Sequence, residues 1–127
     1  MGYNIFKFNY LMMKYKGSCH CGAVKFEADV DLDSTMECNC SICHRAGYVL
    51  TFVPEENFEL LSGGENLVDY QFGKKHVHHL FCETCGIRPF GRGNNKEGKL
   101  TYAVNVRCLE DVDFDQLVPK KVDGKNF

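Results

Sequence analysis

The chain has 127 residues, enough for one domain of modest core rather than two. Its net charge of −2 argues against a nucleic-acid partner, because gripping phosphates needs a clear excess of Lys and Arg. No apolar run approaches the length of a membrane span, which argues against a membrane partner.

The first stretch, Met1 to Lys14, mixes aromatic and basic residues and lacks the small-residue cleavage site of a secretory signal. Phe6 stands where a myristoylation signal needs Ser or Thr. Residues 1–12 read as an N-terminal extension, either upstream of a natural start at Met12 or Met13 or forming an added strand. In the latter case Tyr3, Ile5, Phe6, Phe8, Tyr10 and Leu11 would pack on a sheet edge or on a partner subunit, so an oligomer is compatible with the sequence. Residues 13–127 read as the domain proper.

Strand signals follow in chain order. Val24, Phe26 and Ala28 alternate with Lys25, Glu27 and Asp29, which predicts a strand with one wet face. Tyr48 to Val53 is a nearly continuous apolar run ending at Pro54, predicting a buried strand. Leu67 to Phe72, His76 to Phe81 and Leu100 to Val106 predict three more. Ser62-Gly63-Gly64, Phe72-Gly73-Lys74, Gly91 to Asn95, Glu97-Gly98 and Asp123-Gly124 read as turns. Helix evidence is confined to one acidic turn within Leu109 to Leu117. The fold class is therefore mainly β, antiparallel, with the cysteines in loops at strand ends.

Eight cysteines carry the chemistry. Five of them fall in Cys-x-Cys or Cys-x-x-Cys steps between Cys19 and Cys43, and Cys82 and Cys85 form another Cys-x-x-Cys. Such closely stepped thiols suit a shared metal better than separate disulfides. Retained thiols in turn imply a reducing, cytoplasmic compartment. Cys19-His20-Cys21-Gly22 and Cys82-Glu83-Thr84-Cys85-Gly86 each end in Gly, which permits the positive φ of a metal-binding turn. Together they would close a four-thiolate structural zinc site joining loops about 60 residues apart. The plain alternative is that one pair is buried free thiol.

Cys38, Cys40 and Cys43 stand apart, with no fourth cysteine near in sequence. Three protein ligands and one open position are the pattern of a catalytic zinc. Two closed readings compete: His44 as fourth ligand, or Cys108 reaching in from a distant strand. Three thiolates leave a zinc ion a poor activator of water, but it still lowers the pKa of an entering thiol. The ligand set thus points to thiol chemistry: addition of a thiol to an aldehyde, or the reverse cleavage. Lys74, Lys75, His76, His78 and His79 read as an anion site or a solvated turn, with His79 a further candidate for supporting a zinc shell. Arg88, Arg92 and Arg107 are candidates for holding a substrate carboxylate or for surface ion pairs. Asn105 is a pocket polar group or a satisfied core residue. Cys108 reads as an ordinary buried thiol.

The sequence resembles the glutathione-dependent formaldehyde-activating enzyme family, which includes centromere-protein-V-like members. The resemblance is carried by Gly17-Ser18-Cys19-His20-Cys21-Gly22-Ala23-Val24, Cys38-Asn39-Cys40-Ser41-Ile42-Cys43 and Tyr70-Gln71-Phe72-Gly73. His79-Leu80-Phe81-Cys82-Glu83-Thr84-Cys85-Gly86-Ile87, Val104-Asn105-Val106 and Val122-Asp123-Gly124-Lys125-Asn126 extend it from about Lys14 to the end. It implies a β-tent fold and two zinc ions per chain. One would be structural, on Cys19, Cys21, Cys82 and Cys85; the other catalytic, on Cys38, Cys40 and Cys43. It also implies a carbon–sulfur lyase joining glutathione to formaldehyde as S-hydroxymethylglutathione. The partner would then be a small-molecule thiol and aldehyde. A zinc-stabilised binding module without catalysis is the competing function, and zinc storage or redox sensing through the three-thiol loop a third.

Overall fold

A computed structural model of the protein describes residues 12–126. The expectations for residues 1–11 lie outside that range; Met12 opens the first strand. In chain order the elements are β1 (Met12–Ser18), β2 (Lys25–Asp31), β3 (Met36–Cys38), α1 (Ser41–Ala46), β4 (Leu50–Pro54), β5 (Phe58–Ser62), β6 (Leu67–Tyr70), β7 (Val77–Cys82), β8 (Phe90–Asn94), β9 (Leu100–Asn105) and β10 (Lys120–Val122). They form a three-stranded sheet, β1-β2-β5, and a seven-stranded sheet, β10-β3-β4-β9-β8-β7-β6. The fold is mainly β and antiparallel, as expected. The exception is β10, which runs parallel to β3 and pairs Val122 with Cys38.

The alternation in β2 is real: Val24, Phe26, Ala28 and Val30 are all buried. They face an aromatic cluster that joins the two sheets. Phe26 stacks on Phe58 of its own sheet at 5.3 Å and meets Phe90 of the other edge-on at 5.6 Å. Tyr102 of β9 closes the cluster, 4.0 Å from Phe58. Aromatic pairs of this kind add to the burial of their large surfaces. Gly17 of β1 pairs opposite Phe26, and the ring lies over its Cα; a Cβ there would fall far inside van der Waals contact with the ring. Gly17→Ala is therefore expected to cost about 1–3 kcal/mol through overpacking, seen as a lower Tm with the metal content unchanged.

Three expectations need correction. Gly91 to Asn95 is no turn; most of it is β8. The glycines belong to close strand packing, since a Cβ on Gly91 would sit 2.9 Å from the His78 carbonyl oxygen and one on Gly93 3.1 Å from that of His76. Nor are the cysteines confined to loops: Cys38 and Cys82 are the last residues of β3 and β7, and Cys43 lies within α1. Finally, the Tyr48–Val53 run becomes a strand only at Leu50, and Phe52 within it is 52% exposed, turned out of the core. Among the described residues no helix is long and apolar enough to cross a membrane.

Candidate metal centres and the adjoining cavity

The fold brings Cys19 and Cys21, at the end of β1, against Cys82 and Cys85, at the end of β7. Their four sulfurs lie within 4.8 Å of one another. Cys21 Sγ is 3.7 Å from both Cys19 Sγ and Cys82 Sγ. A disulfide would bring sulfurs to about 2.05 Å. A tetrahedral zinc with bonds of about 2.3 Å would space them by about 3.8 Å. The spacing thus fits a shared metal ion, and all eight cysteines are unbridged. Gly22 and Gly86 take φ of 84° and 79°, the positive values the turns required.

Donors converge on this cluster as thiolates demand. The Val24 backbone N–H donates to Cys19 Sγ at 3.3 Å. Backbone N–H groups of Cys85 and Thr84 hold the Cys82 thiol down to about 6. Cys21 goes the other way: the Ala23 N–H favours its thiolate, but burial and the surrounding thiols outweigh it and raise the group to about 11. Asn66, from the turn before β6, donates through Nδ2 to Cys82 Sγ at 3.1 Å and to Thr84 Oγ1 at 3.1 Å. Its carbonyl accepts from the Glu83 N–H at 2.9 Å. Sequence reasoning missed Asn66, because nothing in its neighbourhood points to a cysteine loop 16 residues away.

Cys38, Cys40 and Cys43 form the second cluster, again with sulfurs within 4.8 Å of one another. Neither His44 nor Cys108 belongs to it. His44 is exposed on α1, and Cys108 packs toward Cys19 and Cys85, where burial and those neighbours raise its thiol to about 12. Cys40 is the N-cap of α1, and Gly47 ends the helix in the left-handed conformation, its N–H returning to the Cys43 carbonyl at 3.0 Å. Burial and the neighbouring Cys40 and Cys38 raise the Cys43 thiol. At Cys40 burial is opposed and overcome by the Cys43 and Ile42 N–H groups and the adjacent thiols, which lower it. Three thiolates this close repel one another, and a divalent cation at their centre removes that penalty.

The C-terminal tail clamps this loop. Asn39 donates its backbone N–H to the Val122 carbonyl at 3.1 Å and its Nδ2 to Asp123 Oδ1 at 2.8 Å. Asn39 Oδ1 accepts from the Lys125 N–H at 3.0 Å. Side-chain hydrogen bonds from Asn126 and Asn39 keep the Asp123 carboxyl below the usual range. Gly124 passes so close to Cys38 Sγ that a Cβ would overlap it.

Beside the three thiols lies a cavity of about 310 Å³. Its apolar walls include Met36, Leu50, Phe52, Phe72, Val77 and Ala103. Tyr48 and His79 also reach it. Burial, reinforced by Arg88, lowers the His79 pKa, so its ring is neutral at pH 7, stacked 5.1 Å from Phe72. Ile42 and Phe72 line both this cavity and a more open adjoining recess, whose wall also includes Ser41, Arg45, Tyr70 and Arg88. Arg88 stacks 5.1 Å from the Phe81 ring, and its Nη1 is buried with no acceptor.

The remaining candidates are structural or exposed. Asn105 is buried and satisfied, donating to the Arg88 carbonyl at 2.8 Å and accepting from the Arg107 N–H at 3.1 Å. Arg107 donates to the Gly47 carbonyl at 3.2 Å and lies over Phe114. His78 pairs with Asp69 at 2.6 Å, while Lys74, Lys75 and His76 are exposed before β7.

Two comparisons bear on the site. The model of the glutathione-dependent formaldehyde-activating enzyme family matches residues 14–123. A crystal structure of a Rhodobacter sphaeroides protein is similar to this chain with a TM-score of 0.74 and 35% sequence identity, covering 84% of this chain and 98% of that one.

Proposed function

The chain belongs to the glutathione-dependent formaldehyde-activating enzyme family, and from that premise we propose that it is a cytoplasmic, zinc-dependent carbon–sulfur lyase acting on thiol–aldehyde adducts. The observation that carries this reading is a three-thiol cluster with no fourth protein ligand among the described residues, opening on a cavity. Cys38, Cys40 and Cys43 would hold the catalytic zinc, and Cys19, Cys21, Cys82 and Cys85 the structural one. A zinc ion held by the three thiols would supply the acidity that lets an entering thiol ionise at neutral pH.

The chain's own residues do the rest. The Asn39–Asp123 clamp and the cap of α1 fix the three thiols. Apolar walls exclude water, which would hydrolyse or dilute the adduct. Tyr48, on the cavity wall with Arg88 beside it, offers a hydroxyl to the carbonyl oxygen of the aldehyde. In the forward direction the sulfur–carbon bond forms, the carbonyl π pair moves to oxygen, and the proton lost from sulfur ends on that oxygen.

The test is exchange of ¹³C-formaldehyde between its free and thiol-bound forms, followed by NMR with zinc-loaded protein and glutathione or 2-mercaptoethanol. Acceleration that Cys40→Ser reduces about 100-fold is expected. Two zinc ions bound with no acceleration by either thiol would instead favour the non-catalytic binding module.

A further inference from the structure

Formaldehyde is a one-carbon molecule comparable in size to water, whose share of liquid volume is about 30 Å³. The cavity beside the three thiols is about 310 Å³. No Lys, Arg, Asp or Glu side chain lines it. Phe52, Phe72 and Val77 on its walls are 52%, 42% and 41% exposed. Gathering large apolar side chains at one mouth leaves surface that an apolar ligand would cover favourably.

Glutathione does not suit this cavity, since its two carboxylates and ammonium would be desolvated there without partners. The adjoining recess does suit anions. Arg45 and Arg88 both line it, and neither is paired with a carboxylate among the described residues. The buried, unpartnered Nη1 of Arg88 leaves that charge short of acceptors. The two spaces share Ile42 and Phe72, so one adduct can occupy both.

Building on the lyase reading above, we propose that the aldehyde partner carries an apolar chain of several carbons seated in the cavity, while the carboxylates of an anionic thiol lie against Arg45 and Arg88. The bond changes are those already given: the thiol adds across the carbonyl, its proton passes to oxygen, and nothing is oxidised or reduced.

Acetaldehyde and hexanal separate the alternatives, because their carbonyls are of similar reactivity and they differ in chain length. With zinc-loaded, full-length protein and glutathione, kcat/KM for exchange into the adduct should be about tenfold or more higher for hexanal. Phe52→Asp, and independently Val77→Asp, should shrink that ratio; both side chains are half-exposed, so at least one variant should fold. 1-Hexanol, which forms no adduct, should shift the ¹³C-methyl resonances of Val77, Ile42 and Ala103 in the unmodified protein. Equal rates for the two aldehydes, or unmoved methyl resonances, would overturn this inference and leave the lyase reading standing wherever exchange is still accelerated. No acceleration with any aldehyde would overturn both.

Discussion

Cys82→Ser is expected to unfold the domain, whereas Cys43→Ser should leave it folded with one metal ion fewer. Cys82 is fully buried, ends β7 and receives Asn66 and two backbone donors at its sulfur. A structural zinc site of four thiolates is worth about 10–16 kcal/mol of binding free energy. That is comparable to the whole stability of a typical domain, about 5–15 kcal/mol, so losing a large part of it removes the folded state. A Ser hydroxyl at that buried position would also lack the charge its donors serve. Cys43 is less deeply placed, on a six-residue helix at the margin of the large sheet. Its loss removes a ligand whose partners Cys38 and Cys40 stay anchored by β3 and the tail. Circular dichroism melts with zinc analysis would measure both variants. Equal unfolding of the two would mean that the three-thiol site is structural, and the catalytic reading would fail.

Gly124→Ala should loosen the second metal site without touching the first. The new methyl group would overlap Cys38 Sγ, and the tail would have to move away. That motion breaks the Asn39–Asp123 hydrogen bond of 2.8 Å and the Lys125–Asn39 bond of 3.0 Å. Outer partners of metal ligands are typically worth about 10–100-fold in affinity. Chelator competition should therefore show a fall of that size for one zinc ion and none for the other. Asn39→Ala should reproduce it, because it removes the same clamp from the opposite side.

Much of this arrangement was legible in the sequence, for identifiable reasons. Candidate metal-ligand steps are local, so the clusters Cys19-x-Cys21, Cys82-x-x-Cys85 and Cys38-x-Cys40-x-x-Cys43, which the fold brings together as groups able to hold a metal ion, stood out by spacing alone. The period-2 pattern of β2 survived because one of its faces is fully buried. What the sequence hid was set by neighbours distant along the chain. Gly91 and Gly93 looked like turn residues, yet the carbonyls of His78 and His76 dictate them. Phe52 looked like core, but its strand lines a cavity on that side. Asn66 meets a cysteine loop only after folding, so no local signal marked it; the tail at Gly124 read as a turn and as part of the resemblance, but its clamp on Asn39, 84 residues away, was not legible.

X-ray absorption at the zinc edge of the purified wild-type protein tests the two-site arrangement most directly. Two zinc ions per chain are expected, with an average shell of about 3.5 sulfurs and about half a lighter oxygen or nitrogen neighbour. A single zinc ion per chain, or four sulfurs around every zinc, would contradict it.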